Sequence, residues 1–114
     1  MAQQGVFTLP AGISFGVTVL VNSSAAQQVT VLVDGAQVGV FNGVGTTDKN
    51  LGTQLFNSGR GAVQIQVAAN GKASDLVSAQ LVLTDKLNVA VVGSEDSTDN
   101  DYNDAIALLN WPLG

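Results

Sequence analysis

"VTVLVDGAQVGVF", residues 29–41, is the stretch of sequence that decides the fold. Two valine-rich runs, typical of β-strands, flank the dipeptide Asp34-Gly35. An Asp-Gly pair between such runs is a strong hairpin signal, because both central residues of a type I′ turn need positive φ. The stretch therefore predicts two antiparallel strands joined by a tight turn.

A second hairpin of the same kind is predicted in "AVQIQVAANGKAS", residues 62–74. Val63, Ile65 and Val67 alternate with polar residues before the turn dipeptide Asn70-Gly71. Alternation with a period of two indicates a strand that buries one face and leaves the other in water.

Other segments also have the composition of short strands. They are "GVFTL" (5–9), "SFGVTVLV" (14–21), "LGTQLF" (51–56), "LVSAQLVLT" (76–84), "LNVAVVG" (87–93) and "AIALLNW" (105–111). For the last of these a short helix is the alternative, because periodicity cannot decide at that length. With the two hairpins, the segments predict an all-β fold, an antiparallel β-sandwich of about nine strands.

The composition predicts one domain spanning residues 1–114 with a core of its own, since 46% of the residues are hydrophobic and only 11% are charged. The first residues lack a basic and apolar leader, and no apolar run is long enough to span a bilayer. We therefore expect a soluble protein without membrane insertion, cytoplasmic or exported to the cell surface without a standard signal peptide.

The chain contains neither cysteine nor histidine. The absence of cysteine excludes disulfides and thiol chemistry, and the absence of histidine removes the usual general base and the usual zinc ligand. Any metal chemistry of this chain must therefore use oxygen ligands.

The segment "GSEDSTDNDYNDA", residues 93–105, carries an unusual density of negative charge. Its carboxylates are Glu95, Asp96, Asp99, Asp101 and Asp104. The other four acidic residues are balanced by the four basic ones, so the net charge of −5 belongs to this segment alone. One cluster of acidic residues in an otherwise neutral chain indicates a cationic partner bound at that place, and it argues against nucleic acid as the partner.

Oxygen ligands at this density favour a hard cation, and calcium accepts six to eight oxygens in flexible geometry. Two calcium ions would leave the segment close to neutral, whereas one would not. Two alternatives remain open: a solvated acidic turn, and a calcium site that only stiffens the loops of a structural or adhesive β module.

An enzyme is the other alternative, because paired carboxylates are typical of glycosidases. That chemistry needs one carboxyl group kept protonated by a raised pKa, whereas adjacent calcium ions lower carboxylate pKa values. We therefore predict that the chain is not an enzyme. Trp111 and Tyr102 could stack on a sugar, but a lone tryptophan beside a terminal strand is more often a core residue.

Several stretches resemble one known family. They are "GVFTLPA" (5–11), "FGVTVLVNSSA" (15–25), "SDLVSAQ" (74–80), "VGSEDSTDNDYNDA" (92–105) and "NWPLG" (110–114). These resemble, from end to end, the small bacterial two-calcium lectins of the LecB type, which bind fucose and mannose. The resemblance implies a nine-stranded antiparallel sandwich that assembles as a homodimer or homotetramer and binds fucosylated and mannosylated glycans without catalysis.

The resemblance also implies the calcium ligands. For the first ion they are Glu95, Asp99, Asp101 and Asp104. For the second they are Asp101, Asn103, Asp104, the backbone carbonyl of Asn22 and the terminal carboxylate of Gly114 from the neighbouring subunit. If these positions match, the complete site exists only in the dimer.

In such lectins three sugar hydroxyls complete the coordination of both ions, and the ligand carboxylates accept the hydroxyl protons. The implied sugar-binding positions are Ser23, Ser24, Ala25, Thr46, Asp96, Ser97, Asp99, Asp101, Asn103, Asp104 and Gly114. Serine at the position of Ser23 is associated with a preference for fucose and alanine with one for mannose, although "NSSAA" is also a common composition for a simple turn.

Ser97 departs from the family pattern, which usually has glycine there. If that position needs positive φ, serine costs about 1 kcal/mol or somewhat more. We expect calcium binding to persist, because no ligand changes, whereas the effect on sugar affinity is open.

Overall fold

The fold is entirely β in the computed structural model, which describes residues 3–96 and 101–114. The strands are β1 (Val6–Thr8), β2 (Ser14–Val33), β3 (Ala36–Asn57), β4 (Ala62–Ala69), β5 (Lys72–Ala73), β6 (Asp75–Thr84), β7 (Leu87–Glu95) and β8 (Ala105–Trp111). Every strand pairing among the described residues is antiparallel. The predicted all-β class is confirmed, and the segment "AIALLNW" is a strand.

Two strands are much longer than the sequence predicts, with 20 residues in β2 and 22 in β3. Each runs through two of the predicted short strands, so the described residues form eight strands where about nine are predicted. The expected breaks are irregularities within continuous strands, because a bulge absorbs extra residues and the ladder then resumes.

The sheet folds back on itself into a nearly closed sandwich. Its order is β1-β4-β2-β8-β7-β6, with β3 also paired to β2 and β5 to β4. The two edge strands meet near Ser78, whose hydroxyl accepts the Gly5 N–H at 2.8 Å. The Ser78 N–H in turn donates to the side-chain oxygen of Gln4 at 2.5 Å.

Both predicted hairpins form at their predicted turns. Asp34 and Gly35 have φ of 53° and 81°, and Asn70 and Gly71 have φ of 51° and 83°. Positive φ at both central residues is the requirement that the two dipeptides satisfy in a type I′ turn.

The core lies between the folded halves of the sheet and is built from alternating inward residues of β2, β4, β7 and β8. Phe15 and Trp111 are among its largest members, and Trp111 is only 2% exposed. The prediction that Trp111 is a core residue is confirmed, so its ring is not available to stack on a sugar. Within the described ranges, no helix long and apolar enough to cross a membrane is found.

Candidate metal centre

The acidic segment connects β7 to β8, and both of its ends are held by the sheet. β7 ends at Glu95 and β8 begins at Ala105. The Ser94 hydroxyl accepts the Ala105 N–H at 3.0 Å and donates to the Ala105 carbonyl at 3.1 Å. The Asp104 N–H donates to the Ser94 carbonyl at 3.1 Å. The strands therefore fix the backbone of the residues flanking the connection.

The connection packs back onto β7 at Gly93. A Cβ at this position would lie 2.5 Å from the carbonyl oxygen of Tyr102, so no larger residue fits without a backbone shift. Tyr102 itself has a φ of 53°. The close approach of these two backbones brings residues 101–104 over the end of β7.

Three carboxylates converge at this point. Glu95, Asp101 and Asp104 each offer an oxygen atom, and these atoms all lie within 4.8 Å of one another. We call these three residues the acidic cluster. Glu95 is 1% exposed and Asp104 is 4% exposed, whereas Asp101 is open to solvent.

Backbone donors orient the two buried carboxylates of the cluster. The Tyr102 N–H donates to Oε1 of Glu95 at 3.2 Å. The Asp96 N–H donates to Oδ2 of Asp104 at 2.9 Å. The chain therefore presents the carboxylates in a defined geometry while it removes two of them from water.

Burial raises the pKa of Asp104 above its ordinary value, and repulsion from Asp96, Glu95 and Asp101 adds to the effect. The hydrogen bond from the Asp96 N–H opposes the shift. A charged carboxylate at this position is therefore destabilised in the protein alone. A cation among these oxygens would offset the cost, because buried charges are stable when they are paired or coordinate a metal.

Asn103 lies against the cluster and supports the same interpretation. With its amide nitrogen turned toward Asp101, it donates to Oδ1 at 2.8 Å and to Oδ2 at 2.9 Å. With its amide oxygen turned that way, three oxygens face one another as in a ligand set for a hard cation. The oxygen-only donor set and the buried charges fit calcium.

Asn22 joins the acidic segment to β2. Its neighbours Val21 and Ser23 pair with Lys49 and Gly45, so Asn22 stands opposite a bulge of residues 46–48 in β3. Its N–H donates to the Asp104 carbonyl at 2.9 Å, which continues the pairing of β2 with β8 by one residue beyond Val21 and Ala105. The structure thus brings the backbone of Asn22, a predicted ligand, beside the acidic cluster.

Asp48 holds Asn22 in place and was not identified from the sequence. The Asp48 N–H donates to Oδ1 of Asn22 at 2.5 Å, and Nδ2 of Asn22 donates to Oδ1 of Asp48 at 3.0 Å. Asp48 has a φ of 56°, a conformation that aspartate tolerates better than most residues. The signal available in the sequence was an aspartate in the Gly-rich "GVGTTDK" segment, but nothing there indicated its partner.

Residues 24–26 form a second bulge, in β2, opposite Val44 of β3. Within it the Ser23 hydroxyl accepts the Ala25 N–H at 3.0 Å. Ser24 is exposed, and Thr46 is also exposed and follows Gly45, the residue that pairs with Ser23. Bulges re-aim side chains and are common beside functional sites. The two bulges lie next to each other, on either side of the Ser23–Gly45 pair.

A groove of about 310 Å³ runs beside the cluster and brings two further predicted positions together. Ala25 and Asp96 both line it, together with Asn70 and Lys72. Ser97 and Asp99, two further predicted site residues, lie outside the described residues.

Gly114, a predicted ligand, lies far from the acidic cluster of its own chain. The Leu113 N–H donates to the Ser14 carbonyl at 3.0 Å, which fixes the C-terminus at the start of β2. The cluster lies at the other end of β8, where Ala105 pairs with Val21. At about 3.4 Å per residue, the length of β8 puts about 20 Å between the two ends.

Fold and site together define a class: a small antiparallel β-sandwich with a cluster of carboxylates that could hold a cation, next to two strand bulges. Comparison with protein families finds that residues 7–113 match the family described as fucose-binding lectin II (PA-IIL). The chain belongs to this lectin family.

Solved structures agree with this assignment. The Chromobacterium violaceum lectin CV2L, solved in complex with alpha-methyl-fucoside, is 67% identical, with a TM-score of 0.96 over 99% of this chain and 100% of that one. The Ralstonia solanacearum high-affinity mannose-binding lectin is 64% identical, with a TM-score of 0.96 and the same coverage.

A more distant structure has the same fold. The C-terminal domain of the BC2L-C lectin from Burkholderia cenocepacia is 43% identical, with a TM-score of 0.91 over 100% of both chains. A search of curated protein sequences found no match.

Proposed function

We propose that this chain is a calcium-dependent lectin that binds fucose and mannose, with fucose preferred, and that it has no enzymatic activity. The observation that carries the proposal is the convergence of Glu95, Asp101 and Asp104, with two of the three carboxylates buried. The family and the fucoside- and mannose-binding names of its similar structures support the sugar specificity.

The residues that would hold calcium are the acidic cluster, Asn103, the backbone carbonyl of Asn22 and Asp99. Bound calcium would accept sugar hydroxyl oxygens as ligands at a site that protein oxygens alone do not saturate. The number of ions that we propose is two, because the five carboxylates of residues 95–104 carry more charge than one calcium ion neutralises.

The chain's own residues would read the sugar. Carboxylates that ligate a cation still have lone pairs, so Asp101 and Asp104 can accept hydroxyl protons in charge-assisted hydrogen bonds. The Ser23 hydroxyl already accepts the Ala25 N–H, and its own proton can be donated to a sugar oxygen. Thr46 and Asp96 are proposed to border the same sugar from either side.

Calorimetric titration with methyl fucoside and methyl mannoside, in calcium and in excess chelator, tests this proposal. We expect binding of both sugars in calcium, with fucoside the tighter ligand, and loss of both in chelator. Sugar binding that persists after calcium removal would refute the calcium-dependent mechanism. Release of nitrophenol from nitrophenyl glycosides would refute the absence of catalysis.

We further propose that the chain works as a homodimer or homotetramer in which Gly114 completes the partner's site. The separation of about 20 Å along β8 means that the terminal carboxylate cannot reach the cluster of its own chain. An exposed apolar groove on β6, β7 and β8, lined by Leu81, Val91 and Leu108, supports an assembly that buries this face. Light scattering at working concentrations measures the assembly directly.

A further inference from the structure

Gln27 is the exception in the buried face of β2. The buried side chains of this strand are otherwise apolar: Phe15, Val17, Val19, Val21, Val29, Val31 and Val33. Gln27 is 1% exposed and directly follows the bulge of residues 24–26. A buried amide in this row needs a reason, because an apolar side chain of the same volume would fill the space without desolvating a polar group.

The amide of Gln27 is only half satisfied. Its Nε2 donates to the carbonyl of Ala25 at 3.2 Å. Its Oε1 is buried and has no hydrogen-bond partner among the described residues. An unpaired buried acceptor lowers the stability of the folded state, so the packing of the core does not account for glutamine at this position.

The hydrogen bond of the Gln27 side chain connects it to Ala25, which lies in the bulge proposed to select the sugar. Ala25 is held on both sides, because its N–H donates to the Ser23 hydroxyl at 3.0 Å and its carbonyl accepts from Gln27. With its oxygen engaged by this N–H, the Ser23 hydroxyl has a defined direction for its own proton. Two hydrogen bonds through Ala25 therefore connect the buried side chain of Gln27 to the hydroxyl of Ser23.

We propose that Gln27 is a positioning residue for monosaccharide selectivity: it fixes Ala25 and, through Ala25, the Ser23 hydroxyl, at a cost in stability. This inference rests on the proposed function, since selectivity requires that the chain binds sugar. Without Gln27, the peptide between Ala25 and Ala26 is still held at its N–H, which donates to Oδ1 of Asn70 at 3.0 Å, but its carbonyl is released. The Ser23 hydroxyl then loses part of its alignment toward a sugar oxygen.

The test is Gln27→Met, which keeps the volume and removes both polar atoms, with Gln27→Leu as a second apolar variant. Because the unpaired Oε1 disappears, we expect an unchanged or higher melting temperature in excess calcium. We expect the fucoside affinity to fall about three- to ten-fold, as for the loss of one aligned hydrogen bond. The fucose-to-mannose affinity ratio should shift in the direction given by Ser23→Ala.

Gln28→Met is the matched control. The same chemical change is made one residue later, where the side chain is exposed on the opposite face of β2, and the affinity ratio should stay at its native value. A double-mutant cycle then tests the route, because Gln27→Met should shift the ratio little further once Ser23 is alanine.

The outcomes separate this inference from the proposed function. If the native chain binds methyl fucoside but both Gln27 variants keep its affinity ratio, the positioning role is refuted and the lectin function stands. If the two substitutions shift the fucose-to-mannose affinity ratio additively, Gln27 does not act through Ser23. A large fall in melting temperature for both variants would show a structural role instead. Failure of the native chain to bind either sugar in calcium would refute the proposed function and this inference together.

Discussion

The backbone N–H of Asn22 donates to the main-chain carbonyl of Asp104 at 2.9 Å. This hydrogen bond joins the irregular middle of β2 to the start of β8, although the two residues are distant in the sequence. The proposed cation site and the proposed sugar-selecting bulge therefore share one rigid backbone connection, and changes on either side should affect both cation and sugar binding.

Asp48→Ala should weaken calcium and sugar binding although Asp48 is not a proposed ligand. The variant removes the acceptor of the Asn22 amide and places alanine at a φ of 56°, which together cost about 2 kcal/mol. Thermal melting and calcium titration measure the effect. Asp48→Asn keeps an acceptor and tolerates the same φ, so it should behave nearly as the native chain. If the alanine variant binds calcium with the native affinity, the hydrogen bonds between Asp48 and Asn22 are not required for the site.

Asp104→Asn should have opposite effects in the presence and absence of calcium. In chelator it should be at least as stable as the native chain, because it removes one of two buried neighbouring carboxylates. In calcium it should lose most of the metal-dependent stabilisation, which for one site is about 2.7 kcal/mol at a hundredfold excess over the dissociation constant. Melting curves with and without calcium give both values. An equal melting temperature of the native protein with and without calcium would contradict this expectation.

The raised pKa of Asp104 predicts a pH dependence of the calcium-free protein. The folded state holds this proton more tightly than the unfolded chain, whose carboxyl titrates near 3.8. The resulting stabilisation is present at low pH and is lost as the pH rises from that value through the raised pKa of the folded state. Calcium affinity should change in the opposite sense, falling as the pH is lowered and protons compete for Asp104. Urea unfolding in chelator from pH 4 to pH 7 measures the first effect, and Asp104→Asn should flatten it.

Ser23→Ala should move the preference from fucose toward mannose. One hydrogen bond to a sugar oxygen is worth about 0.5–1.5 kcal/mol, so the affinity ratio should change several-fold without loss of either ligand. Titration of both methyl glycosides against both proteins gives the ratio, and Thr8→Val, which removes an exposed hydroxyl of β1 outside the predicted site, is the control. An unchanged ratio would remove Ser23 from the selecting contacts.

A C-terminal extension should weaken sugar binding, whereas an N-terminal extension should not. One added residue converts the Gly114 carboxylate into an amide and moves the new carboxylate by up to about 3.6 Å, more than calcium ligation tolerates. Titration and light scattering of the two tagged forms separate an effect on the site from an effect on assembly. Full affinity in the C-terminally tagged form, or a monomer that binds equally well, would exclude Gly114 from the partner's site.

Local sequence signals were sufficient for the class of fold and for both hairpins. The dipeptides Asp34-Gly35 and Asn70-Gly71 take the positive φ angles that their turns require, because that requirement involves only neighbouring atoms. The density of carboxylates in residues 95–104 indicated a cation site for a similar reason, since charge repulsion depends on residues that are close in the chain. The ligand set came from resemblance to a family.

The tertiary structure alone decided which residues meet. Four predicted short strands are joined at the two bulges into the continuous strands β2 and β3. Pairing across the sheet brings Asn22 into hydrogen bonds with both Asp48 and Asp104. The burial of Gln27 and its bond to Ala25, as well as the distance of Gly114 from its own cluster, also depend on contacts between strands. The physical reason is that strand register determines which residues far apart in sequence form hydrogen bonds and become buried together. Bulges make the register irregular, and an irregular register produces no periodic pattern of residues from which it could be predicted.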